Sequence, residues 1–321
     1  VNGETCDDGN SVSGDGCNSI CRVEFPNVIT FNKTYGSNSV LGPGRYEKAK
    51  SAIQLADGSY VFAGESTSWN YPKTCIWLVK TSPLGSVCDY SSDGTCSNQY
   101  SFAKKFCSGS MENGKILRTS WDGGYLIAGE TLKLDGKKDI LLIKTDIFGN
   151  ELWNKTFGWQ GSNEDAVDLA PIGNIGAENG YLILGRTANG LFTSQPPTSW
   201  LIKINLMGDT CDYTNGNCDG PNAFVRIIGN KMTLMNQVIY QSDGFVLAGN
   251  TNSIGSVGMG GWLLKLNIPG NSCDYYSNAN CTGLNQFSRF YKFSGEFNSV
   301  SRVLSPAGYI IGGMFYSPSN G

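Results

Sequence analysis

Gly123-Gly-Tyr-Leu-Ile-Ala-Gly129 is the stretch that decides the fold, because it returns along the chain. Gly58-Ser-Tyr-Val-Phe-Ala-Gly64 precedes it. Gly180-Tyr-Leu-Ile-Leu-Gly185, one residue shorter, Gly244-Phe-Val-Leu-Ala-Gly249 and Gly308-Tyr-Ile-Ile-Gly-Gly313 follow it. The copies lie roughly 55–65 residues apart, a period that points to a blade array rather than a single layered domain.

Working outward from the second copy, Ile116 to Trp121 reads as a first strand and Asp122-Gly123 as a hairpin turn, since glycine tolerates positive φ. Gly124 to Thr131 is the second strand, Asp139 to Thr145 the third, and Glu151 to Phe157, after the Phe148-Gly149-Asn150 turn, the fourth. Four antiparallel strands in meander order, repeated radially, make a β-propeller. The third strands (Ile76-Trp-Leu-Val-Lys80, Ile140-Leu-Leu-Ile-Lys144, Trp200-Leu-Ile-Lys203, Trp262-Leu-Leu-Lys265) are continuous apolar runs, as expected when both sheet faces are covered. Their lysines read as solvated strand ends rather than an anion site. The glycines closing the second strands (Gly64, Gly129, Gly185, Gly249, Gly313) read as places of close backbone approach.

Composition agrees. The chain has 321 residues, 42 of them glycine, and 12% are aromatic, which suits many short strands and tight turns. A net charge of −3 with no basic stripe argues against nucleic-acid partners. No apolar run reaches the roughly 18 residues that would cross a bilayer. There are eleven cysteines and no histidine, which removes the usual zinc sites and the Ser-His and Cys-His nucleophile pairs.

The cysteines fall in short-range pairs. Cys88 with Cys96, Cys211 with Cys218 and Cys273 with Cys281 each bracket a polar loop that opens Cys-Asp-Tyr, between the third and fourth strands. These read as disulfides and place the chain outside the cytoplasm, extracellular or at the cell surface. Cys75 begins a third strand and Cys107 ends the next fourth strand; antiparallel pairing brings those ends together, so a Cys75–Cys107 bridge is expected.

Residues 1–25 differ. Glu4-Thr-Cys6-Asp-Asp-Gly-Asn10, Gly14-Asp-Gly-Cys17 and Cys21 resemble the cysteine-rich CDDGN…GDGC…C repeat of myxobacterial and other microbial or protist surface proteins. That family usually has a further cysteine just upstream; this sequence begins at Val1, which leaves Cys6, Cys17 and Cys21 as an odd set. Asp7, Asp8, Asn10 and Asp15 crowd oxygen ligands on a glycine-rich loop and suit Ca²⁺; the competing reading is a pair of Asx turns. Residues 26–321, with GGYLIAGET and DILLIKTDIFGNELW, resemble secreted microbial propellers carrying the GGYIIAGxT…DxLLIKTDxxGNxxW repeat, a resemblance that implies an architecture and no reaction.

The expected fold is therefore all-β: a propeller of four-stranded antiparallel blades, about five in this chain, behind a small disulfide-rich module. Val28 to Tyr35 resembles the fourth strand Leu152 to Phe157 and is expected to close the last blade. That blade has a first strand near Asn298 to Ser305 and a second at Gly308 to Phe315, but no third-strand pattern before Gly321. Three explanations stand: a continuing chain, further blades, or a strand supplied by a neighbour.

Other candidates are weaker. Glu65 and Glu130 follow the closing glycine and should share one rim with Arg186, Asn250 and Met314; paired carboxylates can act as acid and base, yet a solvated rim is the simpler reading. Trp69, Tyr71 and Trp159 could stack on sugars or anchor loops. Asn32, Asn154 and Asn280 head N-glycosylation sequons. The functional expectation is a non-enzymatic structural or adhesive part of a cell-surface or filament assembly, binding copies of itself or other surface proteins; the alternative is a carbohydrate-binding module.

Overall fold

Antiparallel strands arranged in five sheets make up the regular structure, with no helix among the described residues. The computed structural model describes residues 31–37, 46–69, 73–107, 111–174, 177–188, 197–220, 222–229, 231–252, 259–276, 280–292 and 295–315. The segment 1–25, with Asp7, Asp8, Asn10 and Asp15, lies outside them, as does Tyr71.

The first sheet contains β1 (Glu47–Gln54), β2 (Tyr60–Ser66), β3 (Cys75–Thr81), β4 (Cys96–Ser97) and β5 (Phe102–Phe106), in the spatial order β1-β2-β3-β5-β4. The second is a plain meander of β6 (Glu112–Thr119), β7 (Tyr125–Leu132), β8 (Lys138–Thr145) and β9 (Glu151–Phe157). The third holds β10 (Glu164–Asn174), β11 (Ala177–Thr187), β12 (Thr198–Ile204), β13 (Cys218–Gly220) and β14 (Ala223–Ile228). The fourth holds β15 (Thr233–Gln241), β16 (Gly244–Thr251), β17 (Gly260–Leu266), β18 (Thr282–Gly283) and β19 (Gln286–Tyr291). The third and fourth sheets repeat the order of the first. The fifth is the hairpin of β20 (Gly295–Leu304) and β21 (Ala307–Phe315).

Each sheet stacks on the next in chain order, and the first strands β1, β6, β10, β15 and β20 lie side by side in that order. A closed ring of sheets is not seen among the described residues. Alternate side chains of one strand face opposite neighbours. Ile127 and Ile143 pack toward the first sheet with Val61 and Leu78, while Leu126 and Leu142 pack toward the third with Ile183 and Ile202. Two-sided burial is why the second and third strands carry unbroken apolar runs. Each such residue contributes about 2 kcal/mol on burial, and a truncation such as Leu142→Ala forfeits roughly 2–5 kcal/mol.

Four disulfides are present among the described residues: Cys75–Cys107, Cys88–Cys96, Cys211–Cys218 and Cys273–Cys281. The last three change the strand count. Their loops fold back so that β4, β13 and β18 pair outside β5, β14 and β19. Three sheets therefore have five strands instead of the expected four, and the fourth strand is outermost only in the second sheet. The physical reason is edge satisfaction: the tied loop runs along an open edge whose backbone groups need partners.

Every first strand carries a β-bulge opposite the closing glycine of its second strand, at Ala49/Ser51, Gly114/Ile116, Ala166/Asp168, Met235/Gln237 and Phe297/Ser299. The bulge drives a carbonyl toward the glycine. A Cβ on Gly64 would sit 1.8 Å from Lys48 O, and one on Gly129 1.8 Å from Asn113 O. The close approach is thus to the strand's own hairpin partner.

The third-strand lysines are a correction to the solvated-end reading. Lys144 is 2% exposed and donates to both carboxylate oxygens of Asp122 (2.9 and 2.7 Å) and to Thr145 O (2.8 Å). Lys265 pairs with Asp243 at 2.6 Å and Lys80 with Asp57 at 3.8 Å. A third-strand ammonium thus ties down the aspartate of the first hairpin in three sheets.

Residues 31–36 sit on the first sheet as a fourth strand sits on the sheet that follows it. The Gly36 N–H donates to the Tyr90 hydroxyl at 3.2 Å; Gly158, just after β9, donates to Tyr213 at 3.3 Å, and Gly229, just after β14, to Tyr275 at 3.4 Å. Phe31 meets Tyr60 with centroids 5.4 Å apart, as Phe102 meets Tyr125 and Trp153 meets Tyr181, each at 5.9 Å.

Candidate functional site

The residue after each closing glycine and the extra residue of each bulge share one end of the first strands. A bulge re-aims its side chain, and here it makes these residues connectors between sheets. Lys115, the bulge residue of β6, binds Glu130 of its own sheet and Asp165 of the next. Asn236, the bulge residue of β15, accepts from Arg186 of the previous sheet and donates to Phe297 O of the following one at 2.6 Å. Deeper along the same strands, Arg118 binds Asp168, whose other oxygen accepts from Val238 N at 3.1 Å. Gln237 Oε1 accepts from Val300 N at 2.6 Å. A polar seam thus runs from the second sheet to the fifth.

Glu65 and Glu130 line one cleft of about 280 Å³ between the first and second sheets, with Tyr46, Glu112 and Thr131. Glu130 and Arg186 line a second of about 410 Å³ between the second and third sheets, with Lys138, Glu164 and Thr187. The expected grouping of Glu65, Glu130 and Arg186 at one end is therefore present. Asn250 is buried, with Oδ1 unpartnered, whereas Met314 is 48% exposed.

The charges are mostly spent on one another. Glu65 lies 3.5 Å from Lys48 and 3.9 Å from Lys50. Burial pushes Glu130 up, but hydrogen bonds from Asp165, Lys115 and Lys138 outweigh it and hold its carboxyl at about 2. Asp165 is raised, first by burial and then by its bond to Glu130. Burial likewise pushes Glu164 up to about 7, aided by the neighbouring Asp139 and opposed by Ser162 and Lys133. Among the described residues, Thr187 Oγ1 and Arg186 Nε are buried without hydrogen-bond partners. Among the described residues no group of three or more acidic or cysteine ligands is placed to hold a metal.

Two of the aromatic candidates are packing residues. Trp159 is 7% exposed, lies against Trp200 at 4.1 Å and donates to Tyr213 O at 3.2 Å. Trp69 packs on Trp77 at 5.1 Å and Tyr90 at 5.9 Å. The sequon residues Asn32, Asn154 and Asn280 are all exposed, Asn154 on the outer strand β9.

Sequence reasoning missed Glu164 and Asp168. Glutamate opens the first strand in three sheets (Glu47, Glu112, Glu164), and that recurrence was the available signal. No protein-family model matches the chain, and no curated protein matches it. Among the described residues no helix is long and apolar enough to cross a membrane.

Proposed function

We propose that the chain is a non-enzymatic extracellular protein, a structural or adhesive part of a cell-surface or filament assembly, built as a β-propeller whose fifth blade draws on both ends of the chain. One observation carries this reading: the Gly36–Tyr90 hydrogen bond repeats those of Gly158–Tyr213 and Gly229–Tyr275. It supports a fourth-strand seat for residues 31–36 in a sheet preceding the first, and among the described residues β20 and β21 have no fourth strand of their own. The in-order stacking of sheets supports the same arrangement. Four disulfides fit an oxidising location. The ion-paired rim acids favour a structural role over catalysis. Partners are further copies or other surface proteins, joined by strand addition at the fifth sheet.

Electron microscopy of the purified chain and of native surface material tests this. Ring-shaped particles with a central axis, incorporated in larger assemblies, are the expected result; sheets stacked along a line would end the reading.

A carbohydrate-binding role is the second reading, favoured by the unspent polar atoms of the second cleft. A glycan array decides it, with Arg186→Ala abolishing any signal that arises there. For residues 1–25, Asp7, Asp8, Asn10 and Asp15 are the proposed Ca²⁺ ligands, and isothermal titration of the whole chain with Ca²⁺ is the test; absence of heat ends that assignment. N-glycans are proposed at Asn32, Asn154 and Asn280.

A further inference from the structure

The bulge of β6 brings three side chains from two sheets to one point. Lys115 is the extra residue between the pairs Gly114–Gly129 and Ile116–Ala128. Its Nζ touches Glu130 Oε1 on its own sheet and Asp165 Oδ1 on the next. Glu130 and Asp165 are also hydrogen-bonded to each other, so one amine and two carboxyl groups meet. Lys138 holds the other oxygen of Glu130 at 2.9 Å and fixes its orientation. The same residue types recur one junction earlier. Lys50 is the bulge residue of β1, Glu65 lies 3.9 Å from it, and Asn113 stands second on β6 as Asp165 stands second on β10. Among the described residues Lys50 makes no bond to the next sheet, so the three-way contact belongs to the later junction.

We infer that Lys115 and Asp165 are a self-modification site, joined in the folded chain by an isopeptide bond that Glu130 helps to form. Glu130 takes a proton from the Lys115 ammonium, and the freed lone pair attacks Cγ of the protonated Asp165 carboxyl. Glu130 then hands that proton to the Asp165 hydroxyl and takes the second one from the nitrogen. The Cγ–N bond is kept, the Cγ–O bond breaks, water leaves, and the proton remaining on Glu130 passes to solvent. Asp165 lines the second cleft, which gives the departing water an exit.

Amide formation between a free amine and a free acid is unfavourable in water, but groups held in contact act at effective molarities of about 10⁵–10⁸ M. Burial, and then the bond to Glu130, raise the Asp165 carboxyl and favour the neutral acid that an amine attacks. Burial pulls the Lys115 amine down, but its bonds to Asp165 and Glu130 outweigh this and raise it. Deprotonating Lys115 is therefore the slow step, and the bond matures after folding. Lys155 and Asp209, 2.8 Å apart across the same two sheets, have no second carboxyl touching them among the described residues and stay an ion pair. Each disulfide among the described residues lies within one sheet, so this bond would be the covalent link between two sheets. It is independent of whether the sheets close a ring, and as a single-turnover event it is compatible with a non-enzymatic role.

The test is mass spectrometry of the 321-residue chain, made without glycosylation, incubated folded, then reduced and denatured. Most molecules should be lighter than the sequence mass by one water, and proteolysis should release a branched peptide in which the side chains of Lys115 and Asp165 are joined. Lys115→Arg and Glu130→Gln should each restore the full mass. Asp165→Asn would lose ammonia in place of water and should converge on the product mass of the parent. Full mass in the folded parent would overturn the proposal. So would water loss without a branched peptide, as from a succinimide at Asp165, a branch at other residues such as Lys155 and Asp209, or a bond that survives Glu130→Gln. The parent measurement decides by itself should Glu130→Gln fail to fold.

Discussion

Replacing Asp122 by Asn should cost far more than the same change at Asp57, although the two residues hold equivalent places in consecutive sheets. Lys144 is buried to 2% exposure, and among the described residues its ammonium is partnered by Asp122 and the Thr145 carbonyl. At 2.7 Å and an effective dielectric near 20, the direct attraction is about 6 kcal/mol before desolvation is subtracted. Removing one partner of a buried pair typically costs 3–5 kcal/mol, because a charge is left without compensation. Asp122 is itself 47% exposed, so water makes good part of the loss, and about 2–3 kcal/mol is the expected net. Asparagine keeps the Oδ1 that accepts from Gly124 N at 2.9 Å, so the turn is preserved and only the charge is tested. At Asp57, 60% exposed and 3.8 Å from Lys80, the cost should stay within about 1 kcal/mol. Asp243→Asn, with Lys265 10% exposed, should fall between the two. Urea unfolding of the oxidised protein is the assay, since guanidinium would screen the very charges in question. Equal costs at Asp122 and Asp57, or a loss below about 0.5 kcal/mol at Asp122, would refute the argument that burial makes this pair matter.

Three further predictions follow from other features. Gly129→Ala should destabilise by about 3 kcal/mol or more, because its Cβ would meet the Asn113 carbonyl at 1.8 Å, while Gly308→Ala, with nothing within 4 Å, should be near neutral; comparable unfolding midpoints would sink the bulge argument. Glu164 titrates at about 7 in the folded protein against 4.5 for an ordinary glutamate, so the native state binds the extra proton and stability falls as pH rises from about 4.5 to 7. Glu164→Gln should remove that decline, making the variant more stable than the parent by about 1–3 kcal/mol above pH 7; parallel stability profiles would show that the carboxyl is not strained. Protein made in a eukaryotic secretory host should lose mass on N-glycosidase treatment, and Asn154→Gln should remove one glycan's share; an unchanged mass spectrum would dismiss the sequon at β9.

How much was legible before any coordinates depends on which physical signal a feature leaves. The third strands were readable because burial on both faces forces unbroken apolar runs such as Ile140 to Ile143. The Cys75–Cys107 bridge was readable because antiparallel geometry fixes which strand ends meet. The small outer strands were not, since Cys96-Ser97 and Thr282-Gly283 carry no β pattern and exist only because a tied loop lies along an unsatisfied edge. The lysine–aspartate clamps were hidden for a related reason. A lone lysine at a strand end reads as solvated unless the hairpin aspartate is seen to return 22 or 23 residues before it. The closing glycines were visible as a repeat, but the cause lay across the hairpin, in a bulge that no residue type announces. Within the candidate site, Glu65, Glu130 and Arg186 could be grouped by position. The partners that neutralise Glu130, Lys115 and Lys138, could not, because one comes from a bulge and the other from the start of a third strand.

The disulfide-tied loops leave an asymmetry around the perimeter. Where β4, β13 and β18 cover the margin, a passing strand from another molecule finds no ladder to join. Among the described residues the second sheet presents a full-length outer strand, β9, with its row of amides and carbonyls facing outward, and that strand bears Glu151, Lys155 and the sequon at Asn154. Charge and a bulky sugar at that one margin would act as a guard rail, blocking sideways clumping in a crowded matrix. On the proposed joining at the fifth sheet, growth would run through one margin, and an object that extends at one place only tends toward a thread and not a mat.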